Sequence, residues 1–182
     1  MYRRRLPHWH PDGQPLFLTW RLHGSLPPNR FFPTGDLNAG KAFVAMDRLL
    51  DKAGTGPLYL ARPEIARLVV DALVKGQDAL DHYDLHAFVV MANHVHVLIA
   101  PKAPIPKLLQ SLKGSTARQA NQILGLTGRI FWQSYGTRCE TRRSFSGFAP
   151  ILRKIRCMPA WLRLRRITPG RAQLGRSKTV PG

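Results

Sequence analysis

Two histidines two residues apart, His94 and His96, are the side chains in this sequence best placed to do chemistry. They lie in the stretch Phe88-Val89-Val90-Met91-Ala92-Asn93-His94-Val95-His96-Val97-Leu98-Ile99-Ala100-Pro101. Two apolar pieces meet at Ala92-Asn93, and the histidines open the second. Residues two apart in a strand project to the same side, so both imidazoles converge on one point while Val95 turns inward. Two readings stay open on spacing alone: the rings bind one metal ion, or they sit at a sheet edge without a ligand.

The elements that must hold this pair follow from periodicity. Leu16 to Leu22 alternates as a strand, with Leu16, Leu18, Trp20 and Leu22 on its core face and Phe17, Thr19 and Arg21 on the other. From Leu37 to Lys52, Ala42, Phe43, Ala45, Met46, Leu49 and Leu50 recur at helical spacing until Gly54-Thr55-Gly56-Pro57 stops the run. A second helix starts near Pro63 with Ile65, Leu68, Val69, Ala72 and Leu73 buried, and ends near Gly76. Strands Tyr83 to Val90 and His94 to Ile99, a helix from Ile105 to Leu124, and a short strand Ile130 to Gln133 complete the order. This predicts an α+β fold: an antiparallel sheet with helices packed on one face and the other face left for a ligand.

Composition narrows the partner. The chain has 182 residues and a formal charge of +18, which favours a polyanion whose counterions are released on binding. The charge is uneven. Residues 134 to 182 hold 12 of the 28 Lys and Arg and 1 of the 10 Asp and Glu, a net +11, which leaves +7 for residues 1 to 133. A domain over 1–133 and a basic, divergent, poorly ordered tail over 134–182 are expected, because the tail lacks the patterned apolar residues that offset ordering entropy. Cys139 and Cys157 both fall in that tail with no zinc spacing and no disulfide frame. There is no membrane-length apolar run and no signal-peptide core, so no membrane partner and a cytoplasmic location are expected.

Candidate nucleic-acid contacts are Arg3, Arg4 and Arg5 in the lead-in, Lys107, Lys113 and Arg118 on the polar positions of the third helix, and Trp132. Each has a plainer role beside it. The arginines and lysines can be solvated surface charge, and Trp132 can be core instead of a platform for a base.

Four blocks then carry a resemblance. Val90-Met91-Ala92-Asn93-His94-Val95-His96-Val97-Leu98 is similar to the core motif of single-tyrosine HUH transposases, and more closely of the REP-associated tyrosine transposases, with Ala92 where the family has proline. Arg3 to Trp9 with Leu16 to Leu22, Leu109 to Arg118, and Gly128 to Gln133 resemble further family blocks in order. The match runs from Arg3 to about Gln133. It implies a ferredoxin-like HUH nuclease sandwich, a Mg2+ or Mn2+ ion on His94, His96 and a third polar ligand, and single-stranded or hairpin DNA of REP type as partner. It also implies cleavage through a 5′-phosphotyrosine, and it is compatible with a homodimer. The chemistry is coherent, since phosphoryl transfer needs positioning and charge neutralisation more than acid or base strength.

The nucleophile departs from that pattern. The family tyrosine sits in a late helix and is followed four residues on by an asparagine that completes the metal shell. None of Tyr2, Tyr59, Tyr83 and Tyr135 is followed four residues later by Asn, Gln, Asp or Glu. Tyr135 is the one weak candidate, with Cys139 at the ligand offset. The genetic code offers a reason. Taking the last base of each codon with the first two of the next, Pro150 to Trp161 can spell Tyr-Ile-Glu-Glu-Asn-Pro-Val-His-Ala-Gly-Leu, and Thr141 to Phe145 can spell Glu-Glu-Glu-Phe. Both are family features, which points to a frameshift near Ser134 to Gly136.

Three functions are therefore weighed: a DNA-strand-transferring transposase, a catalytically inactive hairpin-binding remnant of one, and a generic metal-binding or RNA-binding α+β domain.

Overall fold

A computed structural model of the chain describes residues 15–26, 39–52, 54, 56–128, 131–133 and 138–141. Four strands and three helices run in the order β1 Leu16–Arg21, α1 Ala39–Asp51, α2 Pro63–Asp78, β2 Tyr83–Val90, β3 His94–Pro101, α3 Ile105–Ile123 and β4 Arg138–Thr141, with a 3-10 turn Tyr59–Ala61 before α2. The sheet is antiparallel with strand order β2-β3-β1-β4. This is the ferredoxin-like α+β arrangement expected from the sequence, with one correction: α2 and α3 cover the core face, whereas α1 meets the histidines on the other face through Asp47.

Strand alternation sorts the residues. Leu16, Leu18 and Trp20 of β1, with Leu22 just beyond it, join Val95, Val97 and Ile99 of β3 in one buried cluster. The apolar stripes of α2 (Ile65, Val69, Leu73) and α3 (Leu108, Leu109, Leu112) close over it. Along β2 the phase changes, because the register shifts between Leu85 and Ala87. The extra residue, His86, is exposed. Its insertion puts Tyr83, Leu85, Phe88 and Val90 all in the core, which strict alternation would forbid. Each such aliphatic burial contributes about 1.5–3 kcal/mol.

The helices start as the sequence indicates. Pro63 occupies the first turn of α2 and Pro106 that of α3, where a missing N–H costs nothing. Of the expected strand over 130–133, the described residues 131–133 carry a single bridge, Leu22 to Trp132. Backbone bonds from His23 N to the Phe131 carbonyl (2.9 Å) and from Gln133 N to the Arg21 carbonyl (2.9 Å) flank that bridge. Pairing resumes at β4, so the sheet extends past residue 133, where composition alone sets the domain boundary.

Candidate metal centre and nucleic-acid interface

The face of the sheet opposite the main core carries the chemistry. Register pairs Thr19 with His96 and Arg21 with His94, and on the other side His96 with Val89. Both histidines therefore leave β3 on the same side, as two-residue spacing requires, and both are buried (His94 0 %, His96 1 % exposed). Their Nε2 atoms lie 3.0 Å apart. Buried rings of this kind could reach a small ion but offer little surface for direct contact with DNA.

The third member is Asp47 of α1. Its Oδ1 stands 2.8 Å from His96 Nε2 and 3.4 Å from His94 Nε2. Among the described residues these three form the group of potential metal-ligating side chains. Sequence reasoning missed Asp47, although a signal existed. It is an acidic residue one turn from Leu50, inside a stripe otherwise read as apolar. A buried carboxylate costs several kcal/mol unless a cation or proton compensates it, so its place beside two imidazoles needs such a partner.

The rings are oriented from behind. Asn93 Nδ2 donates to the Leu50 carbonyl at 3.0 Å, which fixes the amide so that its Oδ1 faces His94 Nδ1 at 2.7 Å. An amide oxygen only accepts, so His94 carries its proton on Nδ1 and presents the lone pair of Nε2. Thr19 Oγ1 meets His96 Nδ1 at 2.8 Å, and the Phe17 ring stacks on the same imidazole. Both Nδ1 atoms are thus engaged and both Nε2 atoms converge, the arrangement that outer hydrogen bonds impose on metal-binding histidines.

The fit to an ion is tested by distance. An octahedral first-row ion with bonds of about 2.1 Å spaces neighbouring ligands about 3.0 Å apart. The three separations of 2.8, 3.0 and 3.4 Å bracket that spacing. The residues fit a small divalent ion.

The other predicted residues divide. Lys107 and Arg118 are exposed on the outer face of α3, a helix with no acidic residue, and eleven positions bring them back to one stripe. Lys113 is half-buried and donates to the Gln133 carbonyl at 2.7 Å. Burial, with repulsion from Arg21 second, lowers its ammonium to about 8. Trp132 must be corrected as a stacking platform. It is buried, its Nε1 donates to Thr116 Oγ1 at 2.8 Å, and its ring meets Trp20 and Phe131 edge to face. The bulk of an indole fills the gap between α3 and β1, and no face is left for a base. Arg3, Arg4, Arg5 and Tyr135 lie outside the described residues, as do Pro150 to Trp161.

With the geometry in place, the chain can be set beside known proteins. The profile of the family described as Transposase IS200 like matches residues 67–138. A solved REP-associated tyrosine transposase bound to a REP hairpin is similar at 14% identity and a TM-score of 0.47, over 83% of this chain and 68% of that one. A Deinococcus radiodurans R1 protein designated a transposase is similar at 18% identity and a TM-score of 0.44, over 86% and 96%. No curated protein matches the chain. Among the described residues no helix is long and apolar enough to cross a membrane.

Proposed function

We propose that the chain is a transposase-family protein of the IS200-like type, whose family model matches residues 67–138, and that it binds single-stranded or hairpin DNA beside a divalent metal site and is impaired in cutting it. One observation carries the reading: His94 Nε2, His96 Nε2 and Asp47 Oδ1 converge within the range of a single ion. A Mg2+ or Mn2+ ion held there supplies charge neutralisation to a phosphodiester. Lys107 and Arg118 contact the DNA backbone, with Arg3, Arg4 and Arg5 as a further basic element. Such contacts set affinity and its salt dependence and do not read sequence. A REP-type hairpin is the expected ligand, in line with what the hairpin-bound relative is named for.

Impairment follows from the sequence. No tyrosine has Asn, Gln, Asp or Glu four positions on, while a shifted frame can encode a tyrosine with an asparagine there. The chain is then a hairpin-binding protein whose nucleophile and third family ligand were lost together. The test uses the full chain with a labelled hairpin oligonucleotide and Mn2+. Retained hairpin binding with no covalent protein–DNA product on a denaturing gel is the expected result. A covalent product lost in Tyr135→Phe would instead make Tyr135 a working nucleophile. Binding of folded RNA in preference to the DNA hairpin at matched salt overturns the DNA reading. The nucleotide sequence around codon 135 decides the frameshift directly.

A further inference from the structure

We propose that Asp47 is the third metal ligand of this chain, and that with His94 and His96 it forms a two-imidazole, one-carboxylate site that takes manganese-class transition ions in preference to magnesium. The proposal rests on the reading above only in treating the histidine pair as a cation site. Asp47 lies outside the matched residues 67–138, and it takes a role that the resemblance assigns to an asparagine in a tyrosine motif this sequence does not contain.

Three observations carry it. First, Asp47 is no surface carboxylate near the pair by accident: the residue is 7 % exposed, and its Oδ1 approaches both Nε2 atoms. Second, the helix that brings it is tied to the histidine strand. Asn93 Nδ2 holds the carbonyl of Leu50, one turn beyond Asp47, while Asn93 Oδ1 orients His94. One amide therefore sets both the ring and the helix bearing the carboxylate. Third, Met46 and Leu50, on either side of Asp47 in α1, pack with Leu26 in a small buried cluster, which fixes the helix by apolar contact as well.

Donor chemistry then decides the ion. Magnesium prefers oxygen ligands and gives up water reluctantly, whereas two imidazole nitrogens with one carboxylate suit manganese, iron, cobalt, nickel and zinc. Three protein ligands leave coordination positions open to water or a phosphate oxygen. Every ligand is drawn from β3 and α1, so none is encoded beyond residue 133.

The experiment is titration of the full-length chain with Mn2+ alone, read by the loss of the free-ion electron paramagnetic resonance signal. One Mn2+ per chain is expected, displaced by an equimolar amount of Zn2+ and untouched by a hundredfold excess of Mg2+. Asp47→Asn, which keeps the size and an acceptor oxygen, should weaken Mn2+ binding at least tenfold, and its fold is checked by circular dichroism. Wild-type chain labelled with 13C-aspartate should show a carboxylate 13C coupling to bound Mn2+, so the ligand assignment does not depend on any variant folding. Undiminished Mn2+ affinity in a folded Asp47→Asn, or no 13C coupling, overturns Asp47 as ligand. Displacement by stoichiometric Mg2+ overturns the selectivity. Hairpin affinity is measured on the same samples: its loss with Mn2+ binding intact fails the DNA reading and leaves this inference standing, and the reverse outcome fails this inference alone.

Discussion

Asn93 Oδ1 lies 2.7 Å from His94 Nδ1, and the other end of the same amide is held by the carbonyl of Leu50. A buried asparagine so placed fixes a tautomer and a helix at once. Replacing Asn93 by Ala removes both bonds, so Mn2+ affinity should fall about 10–100-fold, the usual effect of losing an outer partner of a metal-binding histidine. Titration of Asn93→Ala against wild type checks this. Unchanged affinity would mean that the ring is held by packing alone.

Trp132 yields a second expectation, in which stability and DNA affinity separate. Its indole is core, so Trp132→Ala should cost about 3–5 kcal/mol in chemical denaturation. Trp132→Phe keeps most of the packing but leaves the Thr116 hydroxyl without its donor, at about 1 kcal/mol. Hairpin affinity of folded Trp132→Phe should equal that of wild type. A large selective loss of affinity would return this ring to the DNA interface.

Much of this geometry was legible in the sequence because it follows from local periodicity. The alternation of Leu16 to Leu22, the stripe from Ile65 to Leu73 and the His94-x-His96 spacing each specify a face without knowledge of any distant residue. Asp47 was not legible as a ligand. Its partners are 47 and 49 positions away, and only the antiparallel pairing of β1 with β3 and the seating of α1 bring them together. The bridge at Trp132 was misread as a strand for a related reason. Phe131 and Trp132 have strand-like composition, but that composition here serves core packing beneath α3.

Lys113 should make stability depend on pH above neutrality. Its folded ammonium titrates near 8 against an ordinary 10.5, chiefly because burial disfavours the charge. Between those values the unfolded chain binds more protons than the folded one, so stability contributed at this site rises as pH increases from about 8 to 10.5. Relative to Lys113→Met, which is neutral throughout, wild type should gain on the order of 1 kcal/mol across that window, a figure reduced for solvent screening. Urea denaturation of both proteins at pH 7.5 and 10 reads the difference. A constant gap would show that the ammonium is not desolvated.

The same lysine should matter less to DNA than its neighbours on α3. Lys107 and Arg118 are exposed, whereas Lys113 spends its charge on the Gln133 carbonyl. If both exposed groups neutralise backbone phosphates, the double change Lys107→Ala and Arg118→Ala should reduce the slope of log K against log salt by about 2, as two lost phosphate contacts require. Lys113→Met should leave that slope within error of wild type. Fluorescence anisotropy of a labelled hairpin over a salt series measures all three. An unchanged slope in the double variant removes α3 from the interface.

Gly76 and Tyr83 form a coupled pair that tests the packing of α2 on the sheet. The Tyr83 hydroxyl donates to the Leu73 carbonyl at 2.7 Å, and burial pushes the phenol well above its ordinary titration range. To reach that carbonyl the ring crosses directly over Gly76, where an added Cβ would collide with its hydroxyl end. Gly76→Ala gains helix propensity of about 1 kcal/mol, yet the collision should outweigh it and leave a net loss of about 1–3 kcal/mol. Tyr83→Phe alone removes one buried hydrogen bond and should cost about 1 kcal/mol. Because the hydroxyl oxygen is the nearest of the clashing atoms, while the ring carbons Cζ and Cε1 remain close in phenylalanine, Tyr83→Phe in the Gly76→Ala background should cost less than in wild type without restoring full stability. A double-mutant cycle by thermal or urea unfolding therefore expects a coupling of at least 0.5 kcal/mol. Additive effects would show that α2 shifts to accept the methyl group and that the contact does not set the spacing between helix and sheet.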